Sequence, residues 1–384
     1  MLSTLNSIQK AELVQRGFTR RNFGRIATVL AAGAALPFYD ERALAQLSRI
    51  RDIPPDAVKI NANENPLGPC PEAADAIHNV VKNGGRYMYE LTDQLAQSMA
   101  AMEGVPAECV NIYAGSSAPL HQSVLAFCSK DRPFVAGDPG YEAGGRAAGF
   151  IGASAVNVPL KKGTWDHDVK AMLAAAPNAG LYYVCNPNNP TGTLTSRPDI
   201  DYLVANKPAG SMVMIDEAYI HFSKNAVRCS DLVAAGKDVI VLRTFSKLYG
   251  MAGLRAGAAL ARPDLLEKIR RFSAGAMPVT SMAGAIASLQ VKNLVAERSK
   301  ILADTREDVF NWLVARKVEF ISSETNCFMI NVQRPGPAFF RDMAKQKVYI
   351  GRSWSVWPDW VRVTVGTKDE MAKFKDAFAR CYSA

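Results

Sequence analysis

Short apolar, largely β-branched runs recur through the middle of the chain: VNIYAG at 110–115, PFVAGD at 133–138, LYYVCN at 181–186, SMVMID at 211–216 and DVIVLRT at 238–244. Longer stretches with helical spacing separate them, among them 91–102, 120–129 and 199–206. Strands divided by helix-length segments predict an α/β fold, a mostly parallel central sheet with helices on both faces. Ligands of such sheets sit at the carboxyl ends of the strands. Most of the polar groups singled out below fall at those ends.

The pattern changes towards the C-terminus. A helical stretch is expected from about Ala283 to Arg316, followed by short strands in VEFIS, CFMINV, KVYIGR and WVRVTVG and a closing helix in DEMAKFKDAFARCY. This predicts a second, smaller α+β domain. The expected division is an N-terminal signal at 1–45, an arm with part of the small domain at 46–80, a large domain at 81–275 and the small domain at 276–384. Within the arm, 46–60 reads as a connecting segment. There is no internal repeat and no low-complexity tract.

Thr19 to Phe38 reads TRRNFGRIATVLAAGAALPF, and ALAQ follows at 43–46. Arginines, then a short apolar run, then small residues at Ala43 and Ala45 have the order of an export signal with cleavage expected after Ala45. Thr-Arg-Arg-x-Phe resembles the twin-arginine type, which carries proteins already folded, so a periplasmic or secreted location is expected. An uncleaved amphipathic helix is the alternative, with a cytoplasmic location if the signal is not used. The chain's +9 net charge owes part of its excess to this segment, whose six Lys/Arg and three acids leave +6 for the remainder. No basic block with interleaved aromatics remains there, which speaks against nucleic acid as a partner. The seven cysteines lack C-x-x-C or zinc spacing and are expected to be buried thiols.

Residues 244–257 read TFSKLYGMAGLRAG. A lysine amine condenses with an aldehyde, so Lys247 is a candidate for a Schiff base with pyridoxal 5'-phosphate. That cofactor needs more: hydroxyls, backbone N–H groups and a cation for its phosphate, an acid for its ring nitrogen, donors for its phenolic oxygen and packing for its ring. Thr244 and Ser246 flank the lysine, and Arg255 offers a charge-assisted phosphate contact. AGSSAP at 114–119, with Ser116 and Ser117, follows a strand and opens a helix, as an anion site does. Asp216 ends a strand and suits a protonated ring nitrogen. Tyr219 and Asn189 can donate to the phenolic oxygen, and Tyr141 offers an aromatic face. Each has a plainer reading alone. Asp216 and the serines can cap helices, NNPTG makes a good turn, and Arg255 or Lys247 can be a solvated surface charge.

Together the segments NANENPLGP (61–69), RYMYEL (86–91), AGSSAP, DPGY, NPNNPTG, IDEAY (215–219), TFSKLYGMAGLRAG and VRVTVG (361–366) resemble the fold-type I pyridoxal-phosphate enzymes. The closest likeness is to the class I/II aminotransferases of the histidinol-phosphate aminotransferase branch, over nearly all of 58–384. The resemblance implies Lys247 as the Schiff-base lysine, Asp216 as the ring-nitrogen partner, and Tyr219 and Asn189 as phenolic-oxygen donors. It implies a phosphate cup of Ser116, Ser117, Ser246 and Arg255 with Thr244, and a stacking Tyr141. Tyr87 matches a tyrosine that reaches the neighbouring subunit's phosphate, implying a homodimer with shared sites. Arg362 matches the clamp for the substrate α-carboxylate. Arg352 resembles a second arginine that meets a distal anion, and pairing with a local acid is the alternative.

The chain departs from that branch in three places. Ser116-Ser117-Ala118 replaces the usual acidic residue of the phosphate loop, the segment after Arg352 is short and tryptophan-rich, and the signal would export the protein. The expected reaction is transamination between an L-amino acid and a 2-oxo acid with ping-pong kinetics. A decarboxylase or oxidase on the same scaffold is the alternative. A non-catalytic sensor is the third reading, disfavoured because Lys247 and Asp216 are both present and the expected export signal takes the place of the N-terminal DNA-binding domain that regulators of this fold carry. The aromatic residues Tyr89, Trp354 and Trp357, with Asn61–Pro66, are candidates for the pocket border or for core and interface.

Overall fold

The computed structural model describes residues 53–382 except Ala274. The expected signal, the start of the connecting segment and the cleavage position at Ala45 lie outside the described residues.

The connecting segment is not wholly irregular. Val58–Ile60 forms strand β1, which pairs in parallel with β11 (Val348–Ile350). The central sheet takes β2 (Val110–Tyr113), β3 (Phe134–Asp138), β4 (Ala155–Pro159), β5 (Leu181–Cys185), β6 (Met212–Asp216), β7 (Val239–Thr244) and β8 (Gly257–Leu260). Their order is β2-β8-β7-β6-β5-β3-β4. Pairs from β7 through β4 are parallel, and β8 is antiparallel to both β7 and β2. Two antiparallel steps leave β2 running the same way as β7. The loops after β2, β3, β5, β6 and β7 therefore all open at one end of the sheet, where the sequence concentrates its polar groups.

Strand alternation sorts side chains to the two faces. Tyr183, Cys185, Met212, Met214, Ile240 and Leu242 enter one apolar cluster. Their neighbours Tyr182, Val184, Val213, Ile215, Val239 and Val241 enter the other. Strands buried on both faces read as continuous apolar runs, which is why five of them stand out in the sequence. Two do not. β4 is an edge strand with mostly exposed or half-buried residues. β8 is Gly-Ala-Ala-Leu, small because it is pressed from both sides: a Cβ on Gly257 would stand 2.7 Å from the Arg243 carbonyl oxygen and 2.8 Å from the Ser116 nitrogen.

The expected single helical stretch from Ala283 to Arg316 is two helices, Val279–Gln290 and Leu294–Ala315, because the backbone turns extended at Val291. The first packs in the same apolar cluster as the central sheet, together with Ala73 of helix Pro71–Val80. The remaining strands β9 (Phe320–Ile321), β10 (Cys327–Asn331) and β12 (Trp360–Thr364) form an antiparallel sheet in the order β12-β10-β9. All seven cysteines are buried and unpaired. Among the described residues no helix is long and apolar enough to cross a membrane, and no cluster of His, Cys, Asp or Glu suits a metal.

Candidate active site

β6 ends on Asp216, whose ladder partners are Cys185 of β5 and Leu242 of β7. The carboxylate is buried, and its oxygens accept the Tyr183 hydroxyl at 2.8 Å and the Ala218 N–H at 3.1 Å. Acceptor bonds of this kind favour the ionised carboxylate. Burial and the neighbouring Asp216 push the Tyr183 hydroxyl well above its ordinary value, so it stays protonated as the donor. Three residues beyond Asp216, Tyr219 is buried and its hydroxyl accepts from Asn63 Nδ2 at 2.9 Å. Lys247 follows the end of β7. It is only 4% exposed, and its Nζ lies 5.7 Å from the centre of the Tyr219 ring. A buried lysine at a strand end beside an aromatic face is not the solvated surface charge of the plainer reading.

The anion cup is built around Arg255. Its Nη1 donates to Ser246 Oγ at 3.2 Å and to the Ala252 carbonyl at 2.9 Å, and its Nη2 reaches the Ala114 carbonyl at 3.5 Å. Gly115 has φ +87°, and a Cβ there would stand 2.2 Å from Arg255 Nη2, so a side chain at 115 would close the cradle. Ser116 takes the N-cap position of helix Ser117–Phe127 without a side-chain capping bond. That helix terminus, with its unspent N–H groups, faces the guanidinium loop as an anion site would. The Thr244 hydroxyl is committed within the turn: it donates to Ser246 Oγ at 2.9 Å and accepts the Ser246 N–H at 3.1 Å. Thr244 thus supports Ser246. Tyr141 follows β3 at the same end of the sheet, half-buried against the core. These parts fit pyridoxal phosphate: an amine, an acid, phenolic-oxygen donors and a phosphate cup at one sheet end.

Arg362 of β12 reaches Asn189 and Asn61. Nη1 donates to Asn189 Oδ1 and Nη2 to the Asn61 carbonyl, both at 2.9 Å. The first bond orients the Asn189 amide with its NH2 turned away from Arg362. Arg362 Nε is buried without an acceptor among the described residues, a donor suited to a carboxylate. Arg352 is buried and forms a bidentate pair with Glu142, Nη1 to Oε1 at 2.7 Å and Nη2 to Oε2. Of the two sequence readings of Arg352, the structure shows the local acid. Burial pushes its guanidinium down and Glu142 opposes that. Tyr87 is 68% exposed and stacks on Tyr89 at 5.5 Å, apart from its own chain's cluster of buried site residues.

Sequence reasoning passed over Tyr183, Glu142 and Arg243, and took Asn63 only as part of the Asn61–Pro66 segment. Arg243 is buried in the strand before Thr244. It donates to Glu103 at 2.8 and 2.7 Å and to Glu217, tying the ends of β6 and β7 to helix Tyr89–Glu103. Burial works to raise the Glu103 carboxyl, but Arg243 holds it below the usual range. The charged neighbours of Asp216 and Thr244 in the sequence were the available signal for this network. Tyr183 and Glu142 meet their partners only through the fold.

Residues 55–378 match the family model for aminotransferase class I and II. A histidinol-phosphate aminotransferase of Moorella thermoacetica is 30% identical over 326 residues, 83% of this chain and 84% of that protein. An aromatic amino acid aminotransferase of Rhodococcus jostii is 32% identical over 326 residues, 84% of this chain and 89% of that one. The fold is shared with histidinol-phosphate aminotransferase from Sinorhizobium meliloti in complex with pyridoxal-5'-phosphate, at TM-score 0.80 and 24% identity over 91% of this chain and 96% of that one. A match spanning both the strand-end cradle and the C-terminal strands settles the kinship: the chain belongs to the class I and II aminotransferases.

Proposed function

We propose that the chain moves an amino group from an L-amino acid to a 2-oxo acid, with Lys247 as the cofactor-bearing and proton-moving amine. The protein is a pyridoxal-phosphate-dependent aminotransferase by family. The observation that carries the residue roles is the burial of Lys247, Asp216 and Tyr219 together at the ends of β6 and β7. Bound pyridoxal phosphate supplies an aldehyde for the amino group and a ring that spreads the electrons left when the Cα–H bond breaks. Asp216 would hold the ring nitrogen in its protonated form, with Tyr183 and the Ala218 N–H holding the carboxylate in place. Tyr219 and the Asn189 amide would hold the phenolic oxygen, and Tyr141 a ring face. Ser116, Ser117, Ser246 and Arg255 would hold the phosphate. Arg362 clamps the substrate carboxylate, which leaves Lys247 Nζ to take the Cα proton and return it.

The exposed Tyr87–Tyr89 pair supports a homodimer in which Tyr87 is presented to a second copy's phosphate cup. Export through the twin-arginine route, with cleavage after Ala45, is supported by the order of charge, apolar run and small residues in the sequence. Intact mass of the secreted protein tests it, and a full-length mass would contradict it. For the reaction, the holoenzyme is mixed with a panel of amino acids in the absence of any oxo acid. One equivalent of 2-oxo acid per site, with conversion of the cofactor to its amine form, is expected. Carbon dioxide or peroxide in its place would reassign the protein to a decarboxylase or oxidase.

A further inference from the structure

We propose that Glu142 is a specificity-determining residue: by occupying the guanidinium of Arg352 it selects substrates whose side chains end in a neutral group over those ending in an anion. This rests on the aminotransferase reading and adds a substrate class to it. The backbones of Arg352 and Arg362 are joined by the Arg362 N–H to Arg352 carbonyl bond at 3.0 Å, so the two residues stand side by side. Both flank one indole, Arg352 at 4.3 Å from the Trp354 ring centre and Arg362 at 5.9 Å. Trp354 is fixed by its Nε1 donating to the Gly140 carbonyl at 2.9 Å, two residues from Glu142.

Two buried cations this close repel, and each needs an anion. Arg362 gives its Nη groups to the neutral acceptors of Asn189 and Asn61, and its orphaned Nε waits on a carboxylate. Arg352 has its anion already, in a bidentate pair that uses both terminal nitrogens. Arg146 acts on Arg352, and Asp138 and Glu142 act on each other. A distal carboxylate or phosphate arriving at Arg352 must displace Glu142 and then lie beside it, like charge against like. A neutral side chain leaves the pair intact. It meets the aromatic wall of Trp354, which packs with Met329 and against Trp165, Trp357 and Trp360.

The test uses the holoenzyme with L-glutamine and L-glutamate, donors of one length that differ in distal charge. Wild type is expected to show the higher kcat/KM with glutamine. Glu142→Gln should move the ratio towards glutamate by about tenfold or more, and Glu142→Gln with Arg352→Gln should abolish that gain. A binding readout runs beside it: the thermal shift given by glutarate against that given by its monoamide, with glutarate gaining in Glu142→Gln. A wild type that favours glutamate overturns the proposal without any variant. So does an unchanged ratio in a folded Glu142→Gln, or a gain that survives in the double variant. If no amino acid yields a 2-oxo acid, the aminotransferase reading falls instead, and the glutarate ratio still decides the role of Glu142.

Discussion

The cofactor side and the substrate side of the site are assembled differently. On the cofactor side the loop around Lys247 joins near partners, Thr244 with Ser246 two residues on and Ser246 with Arg255 nine residues on, and Arg255 then reaches Ala114 across 141 residues. On the substrate side they are far apart: Arg362 reaches Asn189 across 173 residues and Asn61 across 301, and Arg352 reaches Glu142 across 210. The loop around Lys247 keeps its own geometry through these short-range bonds and has one further segment, at Ala114, to meet. A clamp made from three distant segments depends on the whole fold, and a change in any segment retunes it. A family can therefore keep one cofactor chemistry while varying what it acts on.

Lys247→Ala should lower kcat by about 10⁴-fold, since it removes the amine that both bears the cofactor and moves the proton. Near-normal turnover in that variant would end the account. Arg243→Met strands two buried carboxylates behind the cofactor side and should cost about 3–5 kcal/mol in denaturant unfolding. A cost below about 1 kcal/mol would mean that the strand ends are held by other contacts. Arg362→Lys keeps a charge but loses the planar fork. A loss of about 1.5–3 kcal/mol in substrate binding, read as KM, is expected with cofactor spectra unchanged. A shifted cofactor spectrum would show that the two sides are coupled.

The smallest effect concerns acid stability. Burial depresses His121, in the helix after the phosphate loop, to about 4, and His221, just past Tyr219, to about 3, against an ordinary 6.5. Both stay neutral in the folded chain while the unfolded chain takes up protons. Their contribution is therefore complete above about pH 6.5 and is lost as pH falls towards 4, at about 1.4 kcal/mol per pH unit for each. His221→Gln should flatten the fall of stability with pH over that range. An unchanged slope would remove His221 from the explanation.

The same contrast explains what could be read from the sequence. The central strands announced themselves because both faces are buried, Ser246 and Arg255 because motif and contact lie in the same few residues, and Lys247 and Asp216 through the motifs that contain them. β8 was hidden by its small side chains, which only the crowding at Gly257 explains. The break at Val291 was hidden because two helices parted by three residues look like one in the sequence. Tyr183 lay inside a strand already assigned to the core, and nothing local marks its bond to Asp216. Glu142 follows Tyr141 in a motif read for its aromatic ring, and its partner stands 210 residues away. Long-range charge pairs leave no periodic trace in a single sequence.

The most direct test is to reduce the holoenzyme with borohydride, which fixes an imine between the cofactor and a lysine as a stable amine, and to map the labelled peptide by mass spectrometry. One label is expected, on Lys247 within TFSKLYGMAGLR. A label on another lysine, or none on protein saturated with pyridoxal phosphate, would contradict the assignment of the strand-end cradle as the catalytic centre.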